Sequence, residues 1–118
     1  MNKSLLLVDD NAHILETMHD ILEAAGFTVR TSETGAAALQ ALKAQPSHLM
    51  IADFNLLDMT GAKLTVEAKI ISPDLQVILM TGEAHVDAGA AKDMIRATLT
   101  KPINPSQLIE IIKKIVDA

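Results

Sequence analysis

Residues 5 to 11 read Leu-Leu-Leu-Val-Asp-Asp-Asn, and a stretch of helical period begins immediately after them at Ala12. A short apolar run, closed by two acids and followed at once by a helix, is the opening of a βα unit. That helix, from about Ala12 to Ala25, places Ile14, Leu15, Met18, Ile21, Leu22 and Ala25 on one face and Glu16, His19 and Glu23 on the other. Gly26 follows as a left-handed stop.

The same rhythm recurs along the chain. Apolar runs at Leu5 to Val8, Thr28 to Thr31, Leu49 to Ala52, Gln76 to Met80 and Thr98 to Thr100 alternate with helical stretches, which predicts βα repeats around a five-stranded parallel sheet. The middle helices are expected at Gly35 to Ala44, closed by Pro46, and at Ala62 to Ile71, closed by Ser72-Pro73. The last opens with Asn104 as cap and Pro105 in its first turn, then buries Leu108, Ile111, Ile112 and Ile115. Ile109 and Val116 widen that stripe, and two readings stay open for them: core, or a docking or homodimer surface. The fourth helix, around Asp87 to Arg96, is the weakest. Ala88-Gly89-Ala90-Ala91 buries little, and a helical glycine costs about 1 kcal/mol relative to alanine. It is the element expected to move most easily.

At 118 residues, 49% hydrophobic and 21% charged, the chain fits a single domain spanning residues 1–118 that folds alone. A formal net charge of -5 with scattered cations argues against direct nucleic-acid binding. The absence of cysteine excludes disulfides, thiolate nucleophiles and zinc-thiolate sites. No apolar run reaches the ~18 residues of a membrane helix, and the segment after Met1 is too short for a signal peptide, so a cytoplasmic protein is the simplest expectation. The sequence holds no repeat, low-complexity tract or linker. It ends with the fifth helix, as a single-domain protein or a fragment of a larger one would.

The polar residues that stand out lie at strand ends, where open parallel sheets collect their chemistry. Asp9 and Asp10 follow the first strand, Asp53 ends the third, Thr81 ends the fourth and Lys101 ends the fifth, just before Pro102. Two carboxylates about 5 Å apart repel by roughly 3 kcal/mol at an effective dielectric near 20, so three sharing one pocket need a counter-charge. Mg²⁺ (or Mn²⁺) suits such an all-oxygen set. Asp10 and Asp53 are the expected direct ligands, Asp9 a direct or water-mediated one, and the Asn55 backbone carbonyl completes the set. With metal present, Asp53 is the candidate phosphoacceptor, forming an aspartyl phosphate whose oxygens would meet Lys101 and the Thr81 hydroxyl.

In Val8-Asp9-Asp10-Asn11, Asp53 with Gly61 eight residues later, Leu79-Met80-Thr81-Gly82, and Lys101-Pro102, the chain resembles the response regulator receiver family over essentially its whole length. The resemblance implies a flavodoxin-like doubly wound fold with strand order 2-1-3-4-5, which brings Asp9, Asp10 and Asp53 together. It implies phosphoryl donation by a sensor histidine kinase, a histidine phosphotransfer protein or small acyl phosphates, and a cis peptide before Pro102. A partner or effector domain would then read the fourth and fifth helices. Asn55 and Glu83 fall where receivers tune phosphate lifetime, and neither should shield the acyl phosphate, so a lifetime of seconds to minutes is expected.

The chain also departs from the family. Leu57 replaces the usual proline four residues after the phosphorylated Asp, so the loop is expected to be less rigid. Thr98 replaces the Tyr or Phe that serves as a switch, and Ile103 replaces the common Phe, so a ring-based readout cannot operate. The interval from Thr81 to Lys101 is short, and the fourth helix or its exit loop should be trimmed. Two other classes of function remain: a Mg²⁺-dependent phosphatase passing through an aspartyl phosphate, disfavoured by Asn55 where such enzymes carry a second Asp, and a phosphorylation-independent scaffold. Blander roles exist for single residues. Asp9 and Asp10 could cap the first helix, Asp58 reads as a solvated loop acid, and His13, His19, His48 and His85 read as surface residues without zinc spacing.

Overall fold

In the computed structural model, which describes residues 3–83 and 88–117, the first apolar run becomes β1 (Ser4–Val8) and carries the chain into the middle of a sheet. β1 pairs in parallel with β2 (Thr28–Ser32) on one side and with β3 (Leu49–Asp53) on the other. Beyond β3 lie β4 (Gln76–Thr81) and β5 (Ala97–Thr100), again parallel, so the order is β2-β1-β3-β4-β5. The chain winds outward first to one side of β1 and then to the other. The strand order therefore reverses between β1 and β3, and their carboxyl ends share a crevice.

The continuous apolar runs are explained by burial on both sheet faces. Leu5, Leu7, Leu49, Ile51, Ile78 and Met80 point to a face covered by α1 (Ala12–Ala24) and α4 (Pro105–Val116), which contribute Leu15, Met18, Leu22, Leu108 and Ile112. Leu6, Val8, Met50, Ala52, Val77 and Leu79 point to the other face, under α2 (Gly35–Ala44) and α3 (Gly61–Ile71). The period of two along each strand thus sorts one run of apolar residues into two cores. Ile109 and Val116 pack, partly buried, against the first of them.

Each helix start is capped from the sequence just before it. Asn11 Oδ1 accepts from His13 N and Ile14 N, Thr34 Oγ1 from Ala37 N, Thr60 Oγ1 from Lys63 N, and Asn104 Oδ1 from Gln107 N, at 3.0 to 3.2 Å. Asn11 is the cap of α1, so that task does not fall to Asp9 or Asp10. Gly26 ends α1 with φ +102, a left-handed conformation that glycine adopts without a side-chain penalty.

One expected element differs. In place of an α-helix from Asp87 to Arg96, a 3₁₀ helix spans Gly89–Met94; residues 84–87, with His85 and the expected start at Asp87, lie outside the described residues. Gly89 has φ +54, incompatible with continuing a right-handed helix through it, and Ile95 is already extended. Ala91 is the only buried residue of the segment, too little apolar surface to stabilise a longer helix. The shortened cover leaves Thr98 and Thr100 exposed on β5, while Ala97 and Leu99 pack on the opposite face.

Candidate functional site

Asp53 and Asp9 reach the same crevice because β1 and β3 are neighbours in register, with Val8 opposite Ala52. The next residue on each strand is therefore an acid at the sheet's carboxyl edge. Asp9 is 1% exposed and Asp53 9%, whereas Asp10 is only half-buried. One carboxylate oxygen from each of Asp9, Asp10 and Asp53 can be chosen so that all lie within 4.8 Å of one another.

Lys101 enters from β5. Its backbone N donates to Thr81 O at 2.7 Å, and the Lys101-Pro102 peptide is cis. The side chain then crosses the ends of β4 and β3, and Nζ donates to Asp53 Oδ2 and Asp9 Oδ2, each at 3.2 Å. Burial is the strongest influence on the Lys101 pKa and pushes it down. The hydrogen bond and charge of Asp9, followed by those of Asp53, outweigh it and raise the ammonium above its ordinary value.

Backbone amides hold the remaining carboxylate oxygens. Asn11 N donates to Asp9 Oδ1 at 2.9 Å, and Asn55 N donates to Asp53 Oδ1 at a longer 3.4 Å. Thr81 is buried at the end of β4, where its Oγ1 accepts from Glu83 N at 3.0 Å. A hydroxyl that accepts in this way keeps its hydrogen available to donate. Asn55 and Glu83 themselves are exposed at the rim. Thr98 stands apart, opposite Leu79 in the register and exposed on the edge strand.

The loop between Asp53 and α3 is folded back on itself. Gly61 N donates to Phe54 O at 2.6 Å, Asn55 and Thr60 form an antiparallel bridge, and Leu56 N donates to Met59 O at 3.1 Å. A Cβ at Gly61 would sit 2.7 Å from Asp53 O and 3.0 Å from Phe54 Cα, so glycine here is a requirement of close backbone approach. Asp58, read from the sequence as a solvated acid, has a structural task. Its Oδ1 and Oδ2 accept from Gly35 N and Ala36 N, both at 2.9 Å, and those bonds, Ala36 first, hold its carboxyl below the ordinary value. Its partners lie 23 and 22 residues away, and no local signal names them.

Among the described residues, the histidines stay outside this constellation. His48 Nδ1 accepts from Ser4 N at the opposite end of β1, and His19 lies beside Asp20 and Glu23 on α1.

Three carboxylates against one ammonium leave a formal surplus of two negative charges in the crevice, and among the described residues no cation lies within ion-pair distance of Asp10. An all-oxygen donor set with that surplus fits a hard divalent ion.

An open parallel sheet of order 2-1-3-4-5, with acids and a lysine gathered at its point of reversal, defines a CheY-like flavodoxin fold. Residues 5–113 match the response regulator receiver domain, and the chain belongs to that family. It is 32% identical to the response regulator receiver protein CpdR of Brucella abortus (strain 2308), with 98% of each chain covered. It is 34% identical to the transcriptional regulatory protein GlrR of Escherichia coli (strain K12) over 92% of this chain but only 25% of GlrR, so it spans about a quarter of that relative's length. Among solved structures, a CheY-like receiver domain protein from Methanospirillum hungatei JF-1 superposes with a TM-score of 0.93 at 31% identity, covering 99% of this chain and 95% of that one. The response regulator TrrA from Thermotoga maritima, solved in complex with Mg²⁺-BeF, gives 0.87 at 26% identity, covering 96% and 98%.

Proposed function

We propose that this receiver domain accepts a phosphoryl group on Asp53 from a sensor histidine kinase or histidine phosphotransfer protein, and that the modification switches a surface read by a partner or an attached effector domain. The observation that carries the reading is the bridging of Asp53 and Asp9 by Lys101 beside Asp10. A carboxylate held this way is oriented and next to a cation that can follow the incoming charge.

Mg²⁺ held by Asp10 and Asp53, with Asp9 direct or through water and the Asn55 carbonyl completing the set, would neutralise the oxygens that must approach one another. An Asp53 carboxylate oxygen forms the new bond to phosphorus as the bond to the donor's imidazole nitrogen breaks. The departing imidazole keeps that electron pair and takes a proton from solvent. Lys101 moves its hydrogen bond from the Asp53 carboxylate to a phosphoryl oxygen, and the Thr81 hydroxyl turns its free hydrogen to another. Thr81 also accepts from Lys101 N through its carbonyl, so its displacement pulls on β5 and on the segment entering it. Without a ring at Thr98, the readout runs through Thr81, the 3₁₀ segment and the start of α4. Asn55 and Glu83 are exposed and leave water free to attack, which supports a phosphate lifetime of seconds to minutes. The domain is regulatory, works in the cytoplasm, and with a net charge of -5 leaves any nucleic-acid contact to other domains.

Incubation with acetyl phosphate and Mg²⁺ followed by intact mass measurement tests this reading. One acid-stable, hydroxylamine-labile phosphate on wild type and none on Asp53→Asn is expected. Turnover of many equivalents would indicate the phosphatase, and no mass gain the scaffold.

A further inference from the structure

The loop from Phe54 to Thr60 separates Asp53 from α3 and carries Asn55, yet it contains neither proline nor glycine. No proline or glycine stiffens or turns it, and Leu57 near its tip is 82% exposed. The bonds that close its base hold the two strands of the loop to each other. They do not fix the direction in which the tip points.

That direction is set from outside. Asp58 places one carboxylate oxygen on Gly35 N and the other on Ala36 N, both at 2.9 Å, at the start of α2. Its neighbour Met59 packs over buried Gly35 so closely that a Cβ there would meet Met59 Sδ at 2.5 Å. Two adjacent loop residues thus grip two adjacent helix residues, one by charge-assisted hydrogen bonds and one by packing.

We infer that Asp58 is a positioning residue of the acidic site: by tying the loop tip to α2 it fixes Asn55, whose amide meets Asp53 Oδ1 and whose carbonyl completes the oxygen set. The inference rests on the reading of Asp9, Asp10, Asp53 and Asn55 as a Mg²⁺ site. An aspartate that only capped α2 would add stability to the helix and leave metal affinity unchanged. One that positions Asn55 alters metal affinity in a protein that remains folded.

Thr34 separates the two roles. Its hydroxyl caps the same helix end through Ala37 N and makes no bond to the loop. The experiment is a Mg²⁺ titration of ¹⁵N-labelled wild type, Asp58→Ala, Asp58→Asn and Thr34→Ala without any phosphodonor, following the amide shifts of Asp10 and Asn55, with urea unfolding in parallel. Both alanine variants should unfold at lower urea, but only Asp58→Ala should bind Mg²⁺ more weakly, by about tenfold, the low end of what outer partners of metal ligands contribute. Asp58→Asn, which keeps one acceptor, should fall between Asp58→Ala and wild type. Wild-type affinity in Asp58→Ala, or equal weakening in Thr34→Ala, would overturn the inference. A wild type whose amides show no saturable response to Mg²⁺ would overturn the metal-site reading itself and the inference with it.

Discussion

Lys101 Nζ lies 3.2 Å from Asp53 Oδ2 although the two residues are 48 apart in sequence, and the same nitrogen lies 3.2 Å from Asp9 Oδ2. One ammonium therefore ties together the carboxyl ends of β5, β3 and β1. The pair is partly buried, so solvent screens it less than a surface ion pair.

Replacing Lys101 with Met should destabilise the metal-free protein by about 1–3 kcal/mol, because Asp9 and Asp53 lose their shared cation. Since the folded pKa of Lys101 is raised, the stability it contributes is fully present below the ordinary lysine value and lost as pH rises through the folded one. Urea midpoints of variant and wild type should differ at neutral pH and converge as pH rises through the alkaline range.

Asp10→Asn should act in the opposite sense. It removes one of three crowded carboxylates without touching either Lys101 bond, so the metal-free variant should be more stable than wild type by about 1 kcal/mol. Added Mg²⁺ should raise the unfolding midpoint of wild type and leave that of the variant nearly unchanged.

Gly61→Ala tests the close approach behind Asp53. The new methyl would press on Asp53 O and Phe54 Cα, both backbone atoms that cannot rotate away. A loss of about 2 kcal/mol or more is expected in chemical unfolding. A neutral substitution would mean that the loop base is looser than its 2.6 Å hydrogen bond indicates.

Asp58→Asn should show a pH signature of its own. A carboxyl held below its ordinary pKa contributes stability that is present above that value and lost as pH falls through the lowered one. The variant should therefore be less stable than wild type at pH 7, with the gap closing in the acid range.

The fold was legible because its signals are local. Leu5 to Val8 and Leu49 to Ala52 announce buried strands by composition alone, and acids immediately after such runs can face only the sheet edge. The cap of the first helix was not legible in the same way: the sequence suggested Asp9 or Asp10 for that role, and Asn11 fills it. What stayed hidden depends on tertiary distance. Nothing near Asp58 in sequence points to Gly35 and Ala36. The weakness of the fourth helix could be read from how little Ala88 to Ala91 buries, but the 3₁₀ geometry of Gly89–Met94 also follows from a backbone angle at Gly89 that the alanine-rich stretch does not reveal. Thr98 could be seen to lack a ring, but its exposure follows from the shortened cover over β5.

The most direct measurement is reductive trapping. After brief exposure to acetyl phosphate and Mg²⁺, borohydride converts an aspartyl phosphate to homoserine, and peptide mass spectrometry locates it. The account predicts homoserine at position 53 alone. Homoserine at position 9, 10 or 58, or at no position in protein shown by its spectra to be folded, would contradict it.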